Sequence, residues 1–146
     1  MIRFANVPEP RREEPIVILI ADDESFVLDF VRRALTIQGY ELLLASDGTE
    51  ALAICKARIE PIHLAILDIV MPGMDGVALL HCLRELYPNI RALFTSGYPV
   101  SEVLQQYGVL PTDGEFVQKP FTGAELQARV QEELSKQPRA GSASGF

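Results

Sequence analysis

Short apolar runs and helix-like stretches alternate along most of the chain, and this alternation restricts the fold more than any other feature of the sequence. The first run, residues 16–21 (IVILIA), is continuously apolar, as expected of a strand that is covered on both faces. Residues 25–38 then carry apolar side chains at helical spacing, and Gly39 is a typical helix stop. Strands that alternate with helices predict an α/β domain with a five-stranded, parallel, doubly wound sheet and helices on both faces. The other predicted strands are residues 41–45, 63–67, 90–95 and 115–118.

The predicted helices carry start signals that support this architecture. Asp47 with Glu50, and Thr122 with Glu125, have the spacing of a capping box. The first pair begins a helix that runs to about Arg58, and the second begins the last helix. The remaining predicted helices are residues 77–87 and 100–107.

Length and composition predict one globular domain. The chain has 146 residues, of which 48% are hydrophobic and 23% charged, so it can bury a core. We expect a flexible leader at residues 1–14, the domain at residues 15–136, and a disordered tail or linker at residues 137–146. No apolar run approaches the ~20 residues of a membrane span. Charged and proline residues occupy the place where a secretory signal would be apolar, so a cytoplasmic location is predicted.

Three features of the composition argue against particular kinds of site. They are the cysteines, the net charge and the histidines. Cys55 and Cys82 have no CxxC partner and no histidine at ligand spacing, so we expect reduced, partly buried thiols. The formal net charge of -7 disfavours a broad nucleic-acid surface, which needs clustered lysine and arginine. His63 begins a predicted strand and His81 lies on a predicted helix, which favours surface or partly buried roles.

Polar residues follow or end four of the predicted strands. Asp22 and Asp23 come directly after the first strand, and Asp68, Ser96 and Lys119 end the third, fourth and fifth strands. A parallel sheet brings these strand ends to one edge, where ligands of such sheets bind. Three neighbouring carboxylates repel one another, and a divalent cation and a lysine relieve that repulsion. Mg²⁺ suits such a set of oxygen ligands.

Each of these residues also has a purely structural interpretation. The pair Asp22-Asp23 could cap a helix, and Asp68 could be a turn residue. Ser96 could belong to a plain turn, and Lys119 could be a solvated loop lysine. All of them together, in this order and on these strands, favour the functional interpretation.

Over about residues 15–136 the chain resembles the receiver domain of bacterial two-component response regulators. The motifs that carry the resemblance are ILIADDE, LDIVMPGMDG, FTSG and KPF. The resemblance implies the flavodoxin-like receiver fold with strand order 2-1-3-4-5, in agreement with the strand pattern. It also implies a phospho-accepting domain in signal transduction, which catalyses only its own phosphorylation and dephosphorylation.

The resemblance assigns roles by position. Asp68 would be the nucleophile that accepts a phosphoryl group from the phosphohistidine of a partner. Asp23 would hold Mg²⁺ directly and Asp22 partly through water, with Asp68 and the backbone carbonyl of Val70 as further ligands; Mn²⁺ is the alternative cation. Lys119 would pair with the phosphate or with Asp68.

The resemblance also implies a switch. Ser96 would hydrogen-bond a phosphoryl oxygen, and Phe116 would turn into the space that Ser96 vacates. An ordinary core phenylalanine is the alternative interpretation of Phe116. Pro120 matches the family's cis-proline, which would aim Lys119 inward.

Two positions flank the place where water must attack the acyl phosphate. These are Val70 and Tyr98, two residues beyond Asp68 and Ser96. Neither offers a carboxylate or an amide to orient a water molecule, and Tyr98 is bulky. Slow self-dephosphorylation is therefore predicted.

The implied partners are a sensor histidine kinase or a histidine phosphotransfer protein upstream and an unidentified protein downstream. No direct nucleic-acid or membrane partner is expected. A homodimer through helix 4, strand 5 and helix 5 rests on the family resemblance alone. The chain is either a stand-alone receiver or one excised from a hybrid histidine kinase. The FTSGYP stretch resembles the corresponding segment of receivers at the ends of hybrid kinases.

Two other classes stay open. A protein-interaction module could keep the receiver fold without being phosphorylated, although such modules usually lose one of the acidic, serine or lysine residues. An Mg²⁺-dependent phosphatase with an aspartate nucleophile usually needs a second aspartate two positions later. Val70 occupies that position here, which counts against turnover of an external substrate.

Overall fold

The computed structural model describes residues 15–109 and 113–136 of the chain. Five strands form one sheet in the order β2-β1-β3-β4-β5, and every neighbouring pair is parallel. The predicted α/β class and strand order are confirmed. The strands are β1 (Val17–Ala21), β2 (Glu41–Ala45), β3 (Leu64–Asp68), β4 (Arg91–Ser96) and β5 (Glu115–Gln118). The helices are α1 (Ser25–Thr36), α2 (Gly48–Lys56), α3 (Gly76–Leu86), α4 (Val100–Tyr107) and α5 (Gly123–Leu134).

The helices cover both faces of the sheet and bury two separate apolar clusters. Successive side chains of a strand point to opposite faces. Leu19 accordingly joins a cluster with residues of α2, α3 and α4, such as Ala51, Leu80 and Val103. Ile18, its neighbour, joins a second cluster with residues of α1 and α5. All five residues of β1 are buried, as the continuous apolar run predicted.

The strand bounds differ from the prediction at three of the five strands. Strands β2 and β5 have the predicted bounds, whereas β1 begins one residue later and β3 and β4 are each shifted by one residue. The third and fourth predicted strands stopped directly before the polar residues Asp68 and Ser96. The backbone ladder depends on main-chain groups, so β3 continues through Asp68, which pairs with Thr95, and β4 through Ser96.

The helix bounds follow the local caps. Helix α1 ends before the predicted residue 38, because Gly39 adopts a left-handed φ of 88° and its amide donates to the Thr36 carbonyl at 3.0 Å. Helix α2 ends two residues before Arg58, and α4 has the predicted bounds. Helix α3 begins one residue earlier than predicted, because the Asp75 carboxylate accepts from the Ala78 amide and caps it, and it ends one residue earlier, at Leu86.

The two predicted capping pairs differ in detail. Thr122 and Glu125 form a complete capping box at α5. At α2, Asp47 accepts a hydrogen bond from the Glu50 amide at 2.7 Å. The Glu50 carboxylate reaches the amide of Ser46, not of Asp47, at 2.7 Å. At α2 the Asp47 half of the predicted box is therefore present, whereas the reciprocal bond of Glu50 is displaced by one residue.

The leader predicted at residues 1–14 and the tail predicted at residues 137–146 lie outside the described residues. Among the helices that the structure describes, none has the length and apolarity needed to cross a bilayer. Cys55 is buried and Cys82 is partly buried, and both are free thiols, as predicted.

Candidate functional site

Three carboxylates meet where β1 and β3 end. The sheet register pairs Ala21 with Leu67, so the next residue on each strand, Asp22 and Asp68, reaches the same edge of the sheet. Carboxylate oxygens of these two residues and of Asp23 all lie within 4.8 Å of one another. Asp22 and Asp68 are buried and Asp23 is exposed. The predicted acidic residues therefore form an acidic pocket that is open to solvent on one side.

Lys119 brings a positive charge into this pocket. Its Nζ atom lies 3.0 Å from Asp22 Oδ2 and 3.4 Å from Asp68 Oδ2. Its backbone amide donates to the Ser96 carbonyl at 2.8 Å, which continues the pairing of β4 with β5. The peptide bond to Pro120 is cis, the isomer predicted at this position. The lysine is thus held by the main chain on one side and by carboxylates on the other.

The segment after β3 folds back against the end of the strand. The Gly76 amide donates to the Ile69 carbonyl at 2.9 Å and closes this segment. A Cβ atom at position 76 would overlap the main chain of Asp68, with the Asp68 carbonyl oxygen nearest. Only glycine therefore lets α3 begin directly against the strand end that carries Asp68.

The electrostatics of the pocket follow from burial. The pKa of Asp68 is raised to about 7, mainly by burial and then by the negative charge of Asp22, while Lys119 acts to lower it. Burial also raises the pKa of Asp22. Burial acts to lower the pKa of Lys119, but its hydrogen bond to Asp22 and the attraction of Asp68 outweigh that effect, so the pKa is raised. The ionised pocket has more negative charge than one lysine can balance.

Such a pocket fits a divalent cation. Its donor atoms are carboxylate oxygens, which Mg²⁺ prefers. Their mutual repulsion and burial make the charged forms costly, and an added cation would relieve both. Val70 follows Asp68 by two residues, which places its backbone in the segment just after β3.

The predicted switch residues lie on neighbouring strands: Ser96 ends β4, and Phe116 is within β5. Ser96 is buried, and its hydroxyl oxygen accepts a hydrogen bond from the Tyr98 amide at 2.9 Å. Phe116 is half-buried, and its ring centroid lies 5.6 Å from that of Phe94. Phe116 therefore packs against the apolar cluster from its edge.

The two predicted tuning residues have different surroundings. Val70 is half-buried and packs against the cluster under α2, α3 and α4. Tyr98 is 54% exposed. His63 and His81 lie away from the pocket, as predicted: His63 accepts from the Val17 amide at 3.0 Å, and His81 lies 3.8 Å from Asp113.

Sequence reasoning missed Glu24 as a member of the site. Its carboxylate lies 3.3 Å from Lys119 Nζ, although the two residues are 95 positions apart. Its place directly after the acidic pair was the available signal, but the contact depends on the tertiary fold. A groove of about 680 Å³, also missed, adjoins Lys119 between α1 and the segment after β5. Its apolar lining includes Phe26, which is 70% exposed, and the rings of Phe30 and Phe121, whose centroids are 6.1 Å apart.

Comparison with known protein families gives one consistent answer. The family model described as the response regulator receiver domain matches residues 18–131. The sensor kinase CckA of Brucella abortus is 37% identical over 122 residues, which is 82% of this chain and 13% of that protein. The response regulator MprA of a Mycobacterium species is 35% identical over 117 residues, 80% of this chain and 49% of that protein. The chain thus spans half or less of the length of these curated relatives.

Solved structures agree with the sequence comparison. The receiver domain of the hybrid histidine kinase CckA is 35% identical, with a TM-score of 0.69 and coverage of 82% of this chain and 99% of that one. A CheY-like receiver domain protein from Methanospirillum hungatei is 30% identical, with a TM-score of 0.69 and coverage of 83% and 94%.

Proposed function

Because the chain belongs to the response regulator receiver domain family, we propose that it accepts a phosphoryl group on Asp68 from the phosphohistidine of a partner protein. The observation that carries this proposal is the placement of Asp68. Its carboxylate is buried at the end of β3, beside two further carboxylates and 3.4 Å from the ammonium group of Lys119. We assign the phospho-accepting unit to residues 15–136.

The transfer is a displacement at phosphorus. An Asp68 carboxylate oxygen forms the new P–O bond while the P–N bond to the donor imidazole breaks, and the imidazole keeps the electron pair. The product on this chain is an acyl phosphate. Because the transition state of phosphoryl transfer is loose and its charge lies on the equatorial oxygens, positioning and positive charge supply most of the catalysis.

The residues of the pocket supply these factors. Asp22, Asp23, Asp68 and the backbone carbonyl of Val70 would hold Mg²⁺, with Mn²⁺ as the alternative. When bound, the cation neutralises charge on the phosphoryl oxygens. Lys119 would neutralise a further phosphoryl oxygen, since its ammonium group already contacts the Asp68 carboxylate.

Ser96 and Phe116 would transmit the modification. The phosphate adds roughly two negative charges and strong acceptor oxygens. The Ser96 hydroxyl accepts from the Tyr98 amide, so its own proton is available to donate to a phosphoryl oxygen. A shift of Ser96 toward the phosphate gives the half-buried Phe116 ring room to turn inward. The surface formed by α4, β5 and α5 would change, and with it binding of a downstream protein or of a second copy.

A sensor histidine kinase or a histidine phosphotransfer protein would supply the phosphoryl group. The donor histidine has to come within bonding distance of Asp68, so its protein must cover the open side of the pocket. The groove beside Lys119 is continuous with that side and presents the exposed ring of Phe26. This apolar surface would contact the donor protein.

The test is incubation with Mg²⁺ and a small phosphodonor, such as phosphoramidate, followed by intact mass measurement. The expected product carries one phosphoryl group, which is absent from the Asp68→Asn variant and from samples that contain EDTA. An unmodified wild-type chain under these conditions would contradict the proposal. That result would favour a protein-interaction module that works without phosphorylation.

A further inference from the structure

We propose that Glu24 is a positioning residue that competes with the phosphoryl group for Lys119 and so slows phosphorylation. This inference rests on the proposed function of Asp68. It concerns a residue outside the acidic triad, and it specifies how the lysine is shared before the phosphate arrives.

The contacts of Lys119 show the competition. Its Nζ atom lies 3.0 Å from Asp22, 3.3 Å from Glu24 and 3.4 Å from Asp68. The Asp22 and Asp68 side chains are nearly fully buried, whereas the Glu24 side chain is 48% exposed. Glu24 therefore holds the lysine from the solvent side, opposite to the pocket in which the phosphoryl group would form.

The local structure of Glu24 gives its side chain no other described partner. Glu24 is the N-cap residue of α1, but its side chain makes no capping hydrogen bond. Three other helices begin with side chains that do cap, Asp47, Asp75 and Thr122. Glutamate is a poor substitute for Ser, Thr, Asp or Asn at an N-cap. The Glu24 side chain therefore does not act as a hydrogen-bonding cap of α1.

The main chain of Glu24 fixes where its side chain can reach. The Glu24 amide donates to Asp22 Oδ1 at 2.9 Å, and the Glu24 carbonyl accepts from the Val27 and Leu28 amides. The carboxylate thus starts from a backbone anchored to the acidic pocket. Its reach to Lys119 is set by the two methylene groups of glutamate.

The contact has a predictable effect on phosphorylation. A phosphoryl group on Asp68 needs the ammonium group of Lys119 as a counter-charge, and Glu24 withdraws part of that charge. Of the three carboxylates on Lys119, that of Glu24 is the most exposed, so its contact costs the least to release. Glu24 therefore acts as a holding partner that gives up the lysine when the phosphoryl group arrives.

The experiment compares three variants with wild type at a saturating concentration of Mg²⁺ for each. Glu24→Gln removes the charge at the same size, and Glu24→Asp keeps the charge but shortens the reach by one methylene. Asp29→Asn is the matched control, because Asp29 lies on the same helix with a side chain 43% exposed but pairs with Arg32 and Arg33. The rate constant for phosphorylation by phosphoramidate is measured by intact mass, and the ¹⁵N chemical shift of Lys119 Nζ is measured in metal-free protein.

The expected result is a rate about threefold higher for Glu24→Gln, the size of effect typical of one partly exposed ion pair. The phosphorylation rate of Glu24→Asp should lie between the rates of Glu24→Gln and wild type. The rate of Asp29→Asn should equal that of wild type. The Lys119 Nζ shift should move in both Glu24 variants and stay unchanged in Asp29→Asn. Unfolding midpoints should remain within about 2 °C of wild type, since no cap is lost.

Equal rates for Glu24→Gln and Asp29→Asn would overturn the inference, because net charge alone would then explain the change. An unchanged Lys119 shift in Glu24→Gln would overturn it as well. The shift measurement needs no phosphodonor, so it tests the Glu24–Lys119 contact even if wild type fails to accept a phosphoryl group. Failure of the proposed function is thereby distinguished from failure of this inference.

Discussion

At the scale of single residues, Asp68 shows the conflict between stability and chemistry most clearly. A buried carboxylate next to two others is costly to ionise, and its pKa of about 7 expresses that cost. The same crowding of negative charge is what gives the pocket its fit to a divalent cation. The residue is thus expected to weaken the metal-free fold while enabling the proposed reaction.

Replacing Asp68 with asparagine should stabilise the metal-free protein at alkaline pH. Burial raises the pKa of Asp68 from 3.8 to about 7. The protonated carboxyl favours the folded state, so this contribution is complete below pH ~3.8 and is lost as the pH rises through about 7. At pH 8 in EDTA, Asp68→Asn should exceed wild type by on the order of 2 kcal/mol in urea unfolding, with a smaller difference at pH 5.

The control is the same pair of proteins in saturating Mg²⁺, where the advantage of Asp68→Asn at pH 8 should shrink. Parallel stability curves for the two proteins from pH 5 to pH 8 in EDTA would contradict this account of the Asp68 charge.

The lifetime of the acyl phosphate also belongs to the residue scale. Val70 and Tyr98 carry no carboxylate or side-chain amide, so they would not orient a water molecule for attack on the proposed acyl phosphate. The double variant Val70→Asn, Tyr98→Glu should shorten the phosphate half-life several-fold, measured as loss of the phosphorylated mass after removal of the donor. An unchanged half-life would rule out the idea that these two side chains protect the phosphate.

At the scale of secondary-structure elements, periodicity and caps predicted much of the structure. Strands β2 and β5 and helix α4 have the predicted bounds, because turn residues or polar residues end their apolar patterns there. The shifts in β3 and β4 arose because periodicity describes side chains and the ladder consists of main-chain bonds. The acidic pocket was predictable from topology, whereas the Glu24–Lys119 contact was not, since it depends on the path of a side chain across the fold.

Gly76 and Gly123 are each the first residue of a helix, and they provide a matched pair. A Cβ atom at position 76 would overlap the Asp68 carbonyl, whereas a Cβ at position 123 would make an ordinary contact with Ala34 at 3.7 Å. Gly76→Ala should cost roughly 2–3 kcal/mol in urea unfolding and weaken Mg²⁺ binding. Gly123→Ala should be neutral or slightly stabilising. Equal effects of the two substitutions would contradict the close approach at Gly76.

Helix α4 is held less firmly than α5. Only Val103 is buried in α4, and its N-cap residue Pro99 supplies no side-chain hydrogen bond. Helix α5 has a complete capping box and buries Leu126 and Val130. Hydrogen exchange should therefore be faster in α4 than in α5 by tenfold or more, which is about 1.4 kcal/mol in opening free energy. Phosphodonor and Mg²⁺ should change hydrogen exchange in α4 of wild type but not of the Asp68→Asn variant. Equal protection of α4 and α5 in the unmodified protein would contradict the weaker packing of α4.

At the scale of the whole molecule, the pocket links cation binding to folding. Its three carboxylates come from the end of β3 and from the two residues just after β1, which approach one another only when the sheet is formed. A cation that binds only the folded state stabilises it by mass action. Mg²⁺ binding is therefore expected to report on the integrity of the entire fold.

Added Mg²⁺ should raise the unfolding midpoint in a concentration-dependent manner. At a free concentration about 100 times the dissociation constant, the gain approaches roughly 2.7 kcal/mol. Thermal or urea unfolding over a series of Mg²⁺ concentrations measures it, and Asp23→Asn, which removes one exposed ligand, is the matched control. An unfolding midpoint of wild type that does not change with the Mg²⁺ concentration would argue against a cation site in the pocket.

The sheet separates its two apolar clusters, one beneath α1 and α5 and the other beneath α2, α3 and α4. The first cluster includes Phe121, whose ring also lines the groove beside Lys119, and the second includes the contacts of Phe116. Over evolutionary time the flank that would meet a donor can drift toward new partners while the opposite flank keeps its form. Because α5 belongs both to this flank and to the proposed switching surface, a paralogue that acquires a new donor is expected to change its output contacts on α5 as well.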